Sequence, residues 1–250
     1  MKKLLAFDLD DTLAVTKSPI SDRMAELLGL VLEHFDVCII SGGRFEQFML
    51  QVVEQVDFSP IQLRRLHLMP TCGTRYYRYN EVQKDWELQY AEDLLPAQKK
   101  KIKEVLESAA KEAGYWTENP AGEIIEDRES QLTLSALGQK ATPADKYAWD
   151  PDGKKKQAIR SIAAKQLPEF EVRAGGTTSI DVTLPGIDKA YGMQKLIDIL
   201  DISRDDILFF GDKLEEGGND YPVKAMGITS LEVSDWQDTA ARLESILAVL

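Results

Sequence analysis

The 250-residue chain is 44% hydrophobic, with four Trp and eight Phe, enough to fill one large domain or two modest ones. A net charge of -12 argues against nucleic acid and anionic membranes as partners. No apolar stretch nears the roughly 20 residues of a membrane helix, and two Cys with two His are too few for a disulfide framework or a histidine-rich metal site.

Lys2-Lys3-Leu4-Leu5 begins like a signal peptide, but Asp8 and Asp10 interrupt the apolar run, which predicts a cytoplasmic protein. Lys3 to Leu9 reads as a strand, Ser21 to Phe35 as an amphipathic helix, Val37 to Ile40 as a strand and Phe45 to Val56 as a second helix. Met69 to Gly73 closes a third strand, and Tyr76 to Tyr90 alternates like a hairpin around Asn80-Glu81. This β-α-β-α order predicts a Rossmann-like, doubly wound parallel sheet.

The middle changes character. Ala97 to Ala113 reads as a Lys/Glu-rich helix, and Glu123 to Leu137 includes alternating stretches suited to a half-exposed antiparallel strand. A turn at Asp150 to Gly153 precedes a helix from Lys154 to Lys165, and strands follow at Glu171 to Arg173 and Ser179 to Leu184. After Pro185 the rhythm returns, with a helix from Tyr191 to Leu200, a strand from Ile207 to Phe210 and a helix from Thr239 to Leu250. Residues 1–90 and 185–250 are therefore expected to form an α/β core, and residues 91–184 an inserted α+β domain.

"FDLDDTLA", residues 7 to 14, sets three carboxylates directly behind the first strand. Ligands of open α/β sheets bind outside the carboxyl ends of the strands, where Asp8, Asp10, Ser41 and Asp212 fall. Alternation turns Asp8 and Asp10 to one side and Asp11 to the other, so Asp11 is expected to tie down the turn through backbone hydrogen bonds. Converging carboxylates raise one another's pKa unless a cation lies between them, and Mg²⁺ suits oxygen ligands and phosphate. With it Asp8 can act as nucleophile toward phosphorus, while Asp10 protonates the leaving group and then activates water. A helix cap or a structural ion would also account for "DLDD" taken alone.

Ser41-Gly42-Gly43 offers a hydroxyl and amides to a phosphate, or a cap for the helix at Phe45. Lys189, at a helix start, is either a solvated lysine or an ammonium stabilising Asp8 and the transferring phosphoryl group. "GDKLEEGGND" offers Asp212 and Asp220 to a metal, with Gly211 letting the backbone approach a ligand closely.

With "DLDDTLA", "ISGG", "DKAYG" and "GDKLEEGGND" in this order, the chain resembles the haloacid dehalogenase (HAD) superfamily of Mg²⁺-dependent phosphotransferases, with an insertion like the type IIB cap. "GGTTSIDVTLPGIDKAYGM", "FFGDKLEEGGNDYPV" and "GQKATPADKYAWDPDGKKKQAIR" look like stretches of eukaryotic-type phosphomannomutases. The resemblance implies Asp8 as nucleophile and metal ligand, and Asp10 as acid/base with its carbonyl on the metal. Asp212 and Asp220 complete the metal site, and Lys189 with Ser41 or the Gly42-Gly43 amides binds phosphate; the mutases carry their serine at the position of Gly43.

Arg128, Ser179 and Asp181 of the cap match substrate-contacting residues of the mutases, whereas Lys17 in the core and Gln139 and Lys146 in the cap stand where the mutases have arginines. Lysine and glutamine cannot copy arginine's bidentate grip on phosphate, which favours a phosphatase of a small phosphate ester such as a sugar phosphate over a mutase. Arg128 and Lys146 as mere surface charges, and a non-catalytic phosphate-binding module, are the other readings. A homodimer through the cap is the partner the resemblance implies.

Overall fold

The computed structural model describes residues 2–250. The chain divides into two compact units, one built from the residues up to Ala91 together with Asp188–Leu250, the other from Glu92–Ile187.

The first unit opens with β1 (Leu4–Phe7), α1 (Asp22–His34), β2 (Asp36–Ile40), α2 (Phe45–Gln51), α3 (Pro60–Arg64), β3 (Leu66–Met69) and the hairpin β4 (Arg75–Asn80) and β5 (Asp85–Ala91). The second unit holds α4 (Pro96–Glu112), β6 (Ile125–Asp127), β7 (Leu132–Ser135), α5 (Pro143–Trp149), α6 (Lys154–Gln166), β8 (Glu171–Ala174) and β9 (Ser179–Thr183). The first unit resumes with α7 (Lys189–Leu200), β10 (Ile207–Gly211), α8 (Tyr221–Ala225), β11 (Thr229–Glu232) and α9 (Trp236–Leu247).

Its seven-stranded sheet runs β11-β10-β1-β2-β3-β4-β5, parallel except for the hairpin. Successive side chains of a strand face opposite sides, and here both sides are apolar. Leu5, Phe7, Val37, Ile39 and Phe210 join the cluster that includes α1 and α9, while Leu4, Ala6, Cys38, Ile40 and Phe209 join that of α7. Sheets covered on both faces read as continuous hydrophobic runs, which is why the central strands stand out in the sequence. Phe7 and Phe210, opposite each other in register, stack at 4.8 Å between centroids.

The second unit has a four-stranded antiparallel sheet, β6-β7-β9-β8. Leu132, Leu134, Ile180 and Val182 pack with Ile102 and Leu106 of α4 and Ile159 of α6. The opposite face carries Glu126, Thr133, Asp181 and Arg173 in one cross-strand row, with Ser135 beside Ser179 in the next.

Several boundaries differ from the sequence expectation. The helix from Phe45 ends at Gln51, because Val52 leaves helical geometry and the β-branched pair Val52-Val53 propagates a helix poorly; a single 3₁₀ turn follows. The third strand ends at Met69, since Pro70 lacks an N–H and Thr71 and Cys72 take left-handed φ of 50° and 55°. The alternating stretches within Glu123 to Leu137 form two short paired strands, turned at Glu129 (φ 68°). The elements α3, α5, α8 and β11 were not foreseen; each is only four to seven residues long.

Candidate active site

Parallel register sets the geometry. Phe7 of β1 pairs with Phe210 of β10, and the Asp8 N–H donates to Phe210 O (3.0 Å), so Asp8 and Asp212 leave neighbouring strand ends together. Asp220, at the start of α8, is fully buried, and its Oδ2 accepts the Lys213 N–H (3.2 Å). A Cβ on Gly211 would lie 2.6 Å from the Asp220 carboxylate, so this glycine makes room for Asp220 rather than for a ligand. Carboxylate oxygens of Asp8, Asp212 and Asp220 lie within 4.8 Å of one another.

Lys189, the first residue of α7, reaches into this cluster. Asp188 caps the helix on the Tyr191 N–H, and the 1% exposed Lys189 places Nζ 2.6 Å from Asp8 Oδ1 and 2.6 Å from Asp220 Oδ1. It is a buried counterion, not a solvated lysine. Burial pushes the Asp8 carboxyl up to about 8, against the pull of Lys189 and with Asp220 and Asp212 adding to the rise. Burial alone would lower the Lys189 ammonium's pKa, but Asp220 and Asp8 hold it above its usual value. Burial, then Asp220, also raises Asp212, opposed by Lys213.

Three carboxylates against the ammonium groups of Lys189 and Lys213 still leave an excess of negative charge, and Asp212 Oδ1 is buried without a hydrogen-bond partner. An orphaned buried oxygen facing two further carboxylates fits a hard divalent cation such as Mg²⁺. Lys213 is the residue missed by the sequence reading: its Nζ lies 3.4 Å from Asp212 Oδ2. Burial lowers it, yet Asp212 and Asp8 raise it further. Its adjacency to Asp212 in "GDK" was the available signal.

Asp10 is not part of this convergence. Its Oδ1 accepts from Lys17 N (2.8 Å) and Gln51 Nε2 (3.2 Å), and its Oδ2 from Gln47 Nε2 (3.1 Å). Asp11 has φ 63° and accepts from the Thr16 N–H (3.2 Å) and hydroxyl (2.7 Å), tying down the turn as expected. Lys17, itself at φ 57°, has an exposed side chain.

Ser41, at the end of β2, is buried, and its Oγ accepts the Gly43 N–H (3.3 Å). It does not cap α2, whose N-cap is Arg44 with no side-chain capping bond. Cys72 N donates to Ser41 O and Thr71 N to Gly43 O (both 2.9 Å), strapping the segment after β3 onto this loop. Gly42 has open space where a Cβ would stand.

In the second unit, the expected substrate residues gather around the polar sheet face. Asp181 accepts from Thr133 Oγ1 (2.7 Å), which accepts from Gln131 Nε2 (2.9 Å). Gln139 donates its amide to Ser135 Oγ (3.0 Å), and Ser135 is paired in register with Ser179. Lys146, on α5, donates Nζ to Gln139 O (3.1 Å), and burial lowers its pKa. Arg128 forms a mostly buried ion pair with Glu126 at 2.7 Å, so it is not a solvated surface charge.

Comparison with known proteins follows the same pattern. A probable phosphomannomutase of Caenorhabditis elegans is 24% identical over 276 positions, spanning 100% of this chain and 97% of the relative. A phosphomannomutase of Arabidopsis thaliana is 30% identical over 138 positions, half of each chain. Among solved structures, Plasmodium falciparum IMP-nucleotidase superposes with a TM-score of 0.72 at 17% identity, over 99% of this chain and 69% of that one. A haloacid dehalogenase-like hydrolase from Bacteroides thetaiotaomicron gives 0.66 at 16% identity, over 98% and 100%. These two likenesses show the fold. The family model of eukaryotic phosphomannomutase matches residues 116–249, more than half the chain. The motif order, the fold and that match agree: the chain belongs to the eukaryotic phosphomannomutase family.

Proposed function

We propose that the protein is a phosphatase that hydrolyses a small phosphate ester, such as a sugar phosphate, through an aspartyl phosphate on Asp8. Both donors to the Asp8 carboxylate, Lys189 Nζ (2.6 Å) and Leu9 N (2.7 Å), fall on Oδ1, which leaves Oδ2 to attack phosphorus. As the Oδ2–P bond forms, the ester P–O bond breaks and its electron pair passes to the alcohol oxygen, which takes a proton from Asp10. Water then attacks the acyl phosphate and gives its proton to Asp10, and the Asp8–phosphorus bond breaks to release phosphate and restore the carboxylate.

Lys189 steadies the charge of Asp8 before attack and binds the transferring group, together with the Ser41-Gly42-Gly43 loop. Asp8, Asp212 and Asp220, with the Asp10 carbonyl, are the residues for Mg²⁺, which when bound supplies charge neutralisation to the phosphoryl oxygens. Lys17, Arg128, Gln139, Lys146, Ser179 and Asp181 are assigned to the alcohol portion of the ester.

Hydrolysis is favoured over mutase chemistry by one observation. Gln139 directs its amide to Ser135 and Lys146 its ammonium to Gln139 O, where the mutases carry arginine forks. A mutase must retain a bisphosphorylated intermediate while it turns around, and a weaker anion grip lets it escape. Family membership supports the second reading, phosphomannomutase activity, as the C. elegans and Arabidopsis relatives are named for it.

The two readings separate in one assay with hexose phosphates, Mg²⁺ and a hexose bisphosphate activator. Phosphate release abolished by Asp8→Asn supports the phosphatase; conversion of 1-phosphate to 6-phosphate without release establishes the mutase. Absence of any turnover across a wide panel of phosphate esters would leave a phosphate-binding module.

A further inference from the structure

We propose that Gln47 and Gln51, one turn apart on α2, are positioning residues that hold the Asp10 carboxylate in its proton-transfer orientation. The inference rests on the reading of Asp10 as acid/base.

Residues four apart on a helix share a face, and here that face meets Asp10. Gln51 Nε2 and Lys17 N bind Oδ1 while Gln47 Nε2 binds Oδ2, so both oxygens are held and the carboxylate cannot rotate without losing a donor. Gln51 also ties the loop that follows Asp10. Its Nε2 donates to Ser18 O (2.8 Å), and its main-chain carbonyl accepts the Ile20 N–H (2.8 Å).

Two details separate this arrangement from ordinary packing. Gln51 is 3% exposed, yet its Oε1 is buried without a hydrogen-bond partner. The amide orientation satisfies Asp10 and Ser18 at the expense of its own carbonyl, and local unsatisfied groups of this kind concentrate at functional sites. A Cβ on Gly43 would stand 2.4 Å from Gln47 Oε1, so the glycine, where the mutases place serine, leaves the space Gln47 needs to reach Asp10. Proton transfer depends on a donor fixed within hydrogen-bond reach and aligned with its acceptor, and these glutamines supply that alignment through Asp10.

The test compares kcat/KM for p-nitrophenyl phosphate, whose leaving group needs no proton, with that for a hexose 6-phosphate, whose alkoxide does. Gln47→Leu and Gln51→Leu are expected to lose at least tenfold more on the hexose phosphate than on the aryl ester, with KM changing less than threefold. Gln51→Glu keeps the shape but replaces a donor with a repelling carboxylate, and should fall as low as Gln51→Leu. Equal losses on both esters, or retention of activity by Gln51→Glu, overturn the proposal. Gln47 is only half-buried, so Gln47→Leu decides the matter where a Gln51 variant does not fold. Asp10→Ala serves as the reference. If it fails to discriminate between the esters, the acid/base reading falls and the inference with it; if it discriminates and the glutamine variants do not, the inference alone falls.

Discussion

Lys189 and Asp220 show how one buried residue sets the charge balance of the first unit. Lys189 Nζ lies 2.6 Å from carboxylates on both sides, at 1% exposure. Removing one partner of a buried ion pair strands the other charge at a cost of about 3–5 kcal/mol. Lys189→Met is therefore expected to lose that much stability in urea unfolding, and adding Asp220→Asn should restore part of it. His67 supplies a pH prediction. Its Nδ1 meets the Tyr76 hydroxyl at 2.7 Å while Nε2 is buried without a partner, and burial, then Arg78, lowers its pKa to about 4. The folded protein resists the proton that the unfolded chain accepts near 6.5, so this contribution is complete above that pH and is lost as pH falls toward 4. The loss amounts to about 3 kcal/mol. Urea titrations at pH 7.5 and 4.5 should show wild type losing about that much more stability than His67→Gln. Of these residues the sequence marked Lys189 by its place after Pro-Gly and before a helix, whereas His67 carried no local signal.

At the scale of elements, α7 is placed by a contact between glycines. A Cβ on Gly192 would lie 2.5 Å from Cys72 O, and one on Gly73 2.4 Å from Gly192 Cα. The helix thus lies directly on the segment strapped to the Ser41–Gly43 loop. Gly192→Ala would ordinarily favour a helix, but here the backbone must move, and overpacking of this kind costs about 1–3 kcal/mol. A lower melting temperature and slower phosphate release are expected, since Lys189 stands one turn away; an unchanged melting temperature would refute the contact's importance. The long amphipathic helices and buried strands were legible because their periods are strong. Edge strand β11 and the short helices were not, although α3 begins with a full capping box, Ser59 with Gln62, and Pro60 at its first position.

At the scale of the whole molecule, the proposed metal site makes a prediction for stability. A ligand that binds only the folded state at 100 times its Kd adds about 2.7 kcal/mol. Mg²⁺ is expected to raise the melting temperature, EDTA to reverse the rise, and Asp212→Asn to abolish it; a full Mg²⁺ shift in Asp212→Asn would count against the assigned site. The sequence by itself determined the fold class and the order in which polar residues follow the strands, because period-two burial and strand-end chemistry are local properties of a chain. It also assigned Asp11 to the turn, where its carboxylate binds Thr16, although a left-handed φ rather than strand alternation turns it there, and Asp10 does not join Asp8 as alternation implied. Only the tertiary structure decided that Lys189 lies between Asp8 and Asp220, that Gly211 makes room for a carboxylate, and that two glutamines of α2 grip Asp10. Those are contacts between residues far apart along the chain, and a lysine, a glycine or a glutamine bears no mark of its partner until the sheet brings the strand ends together.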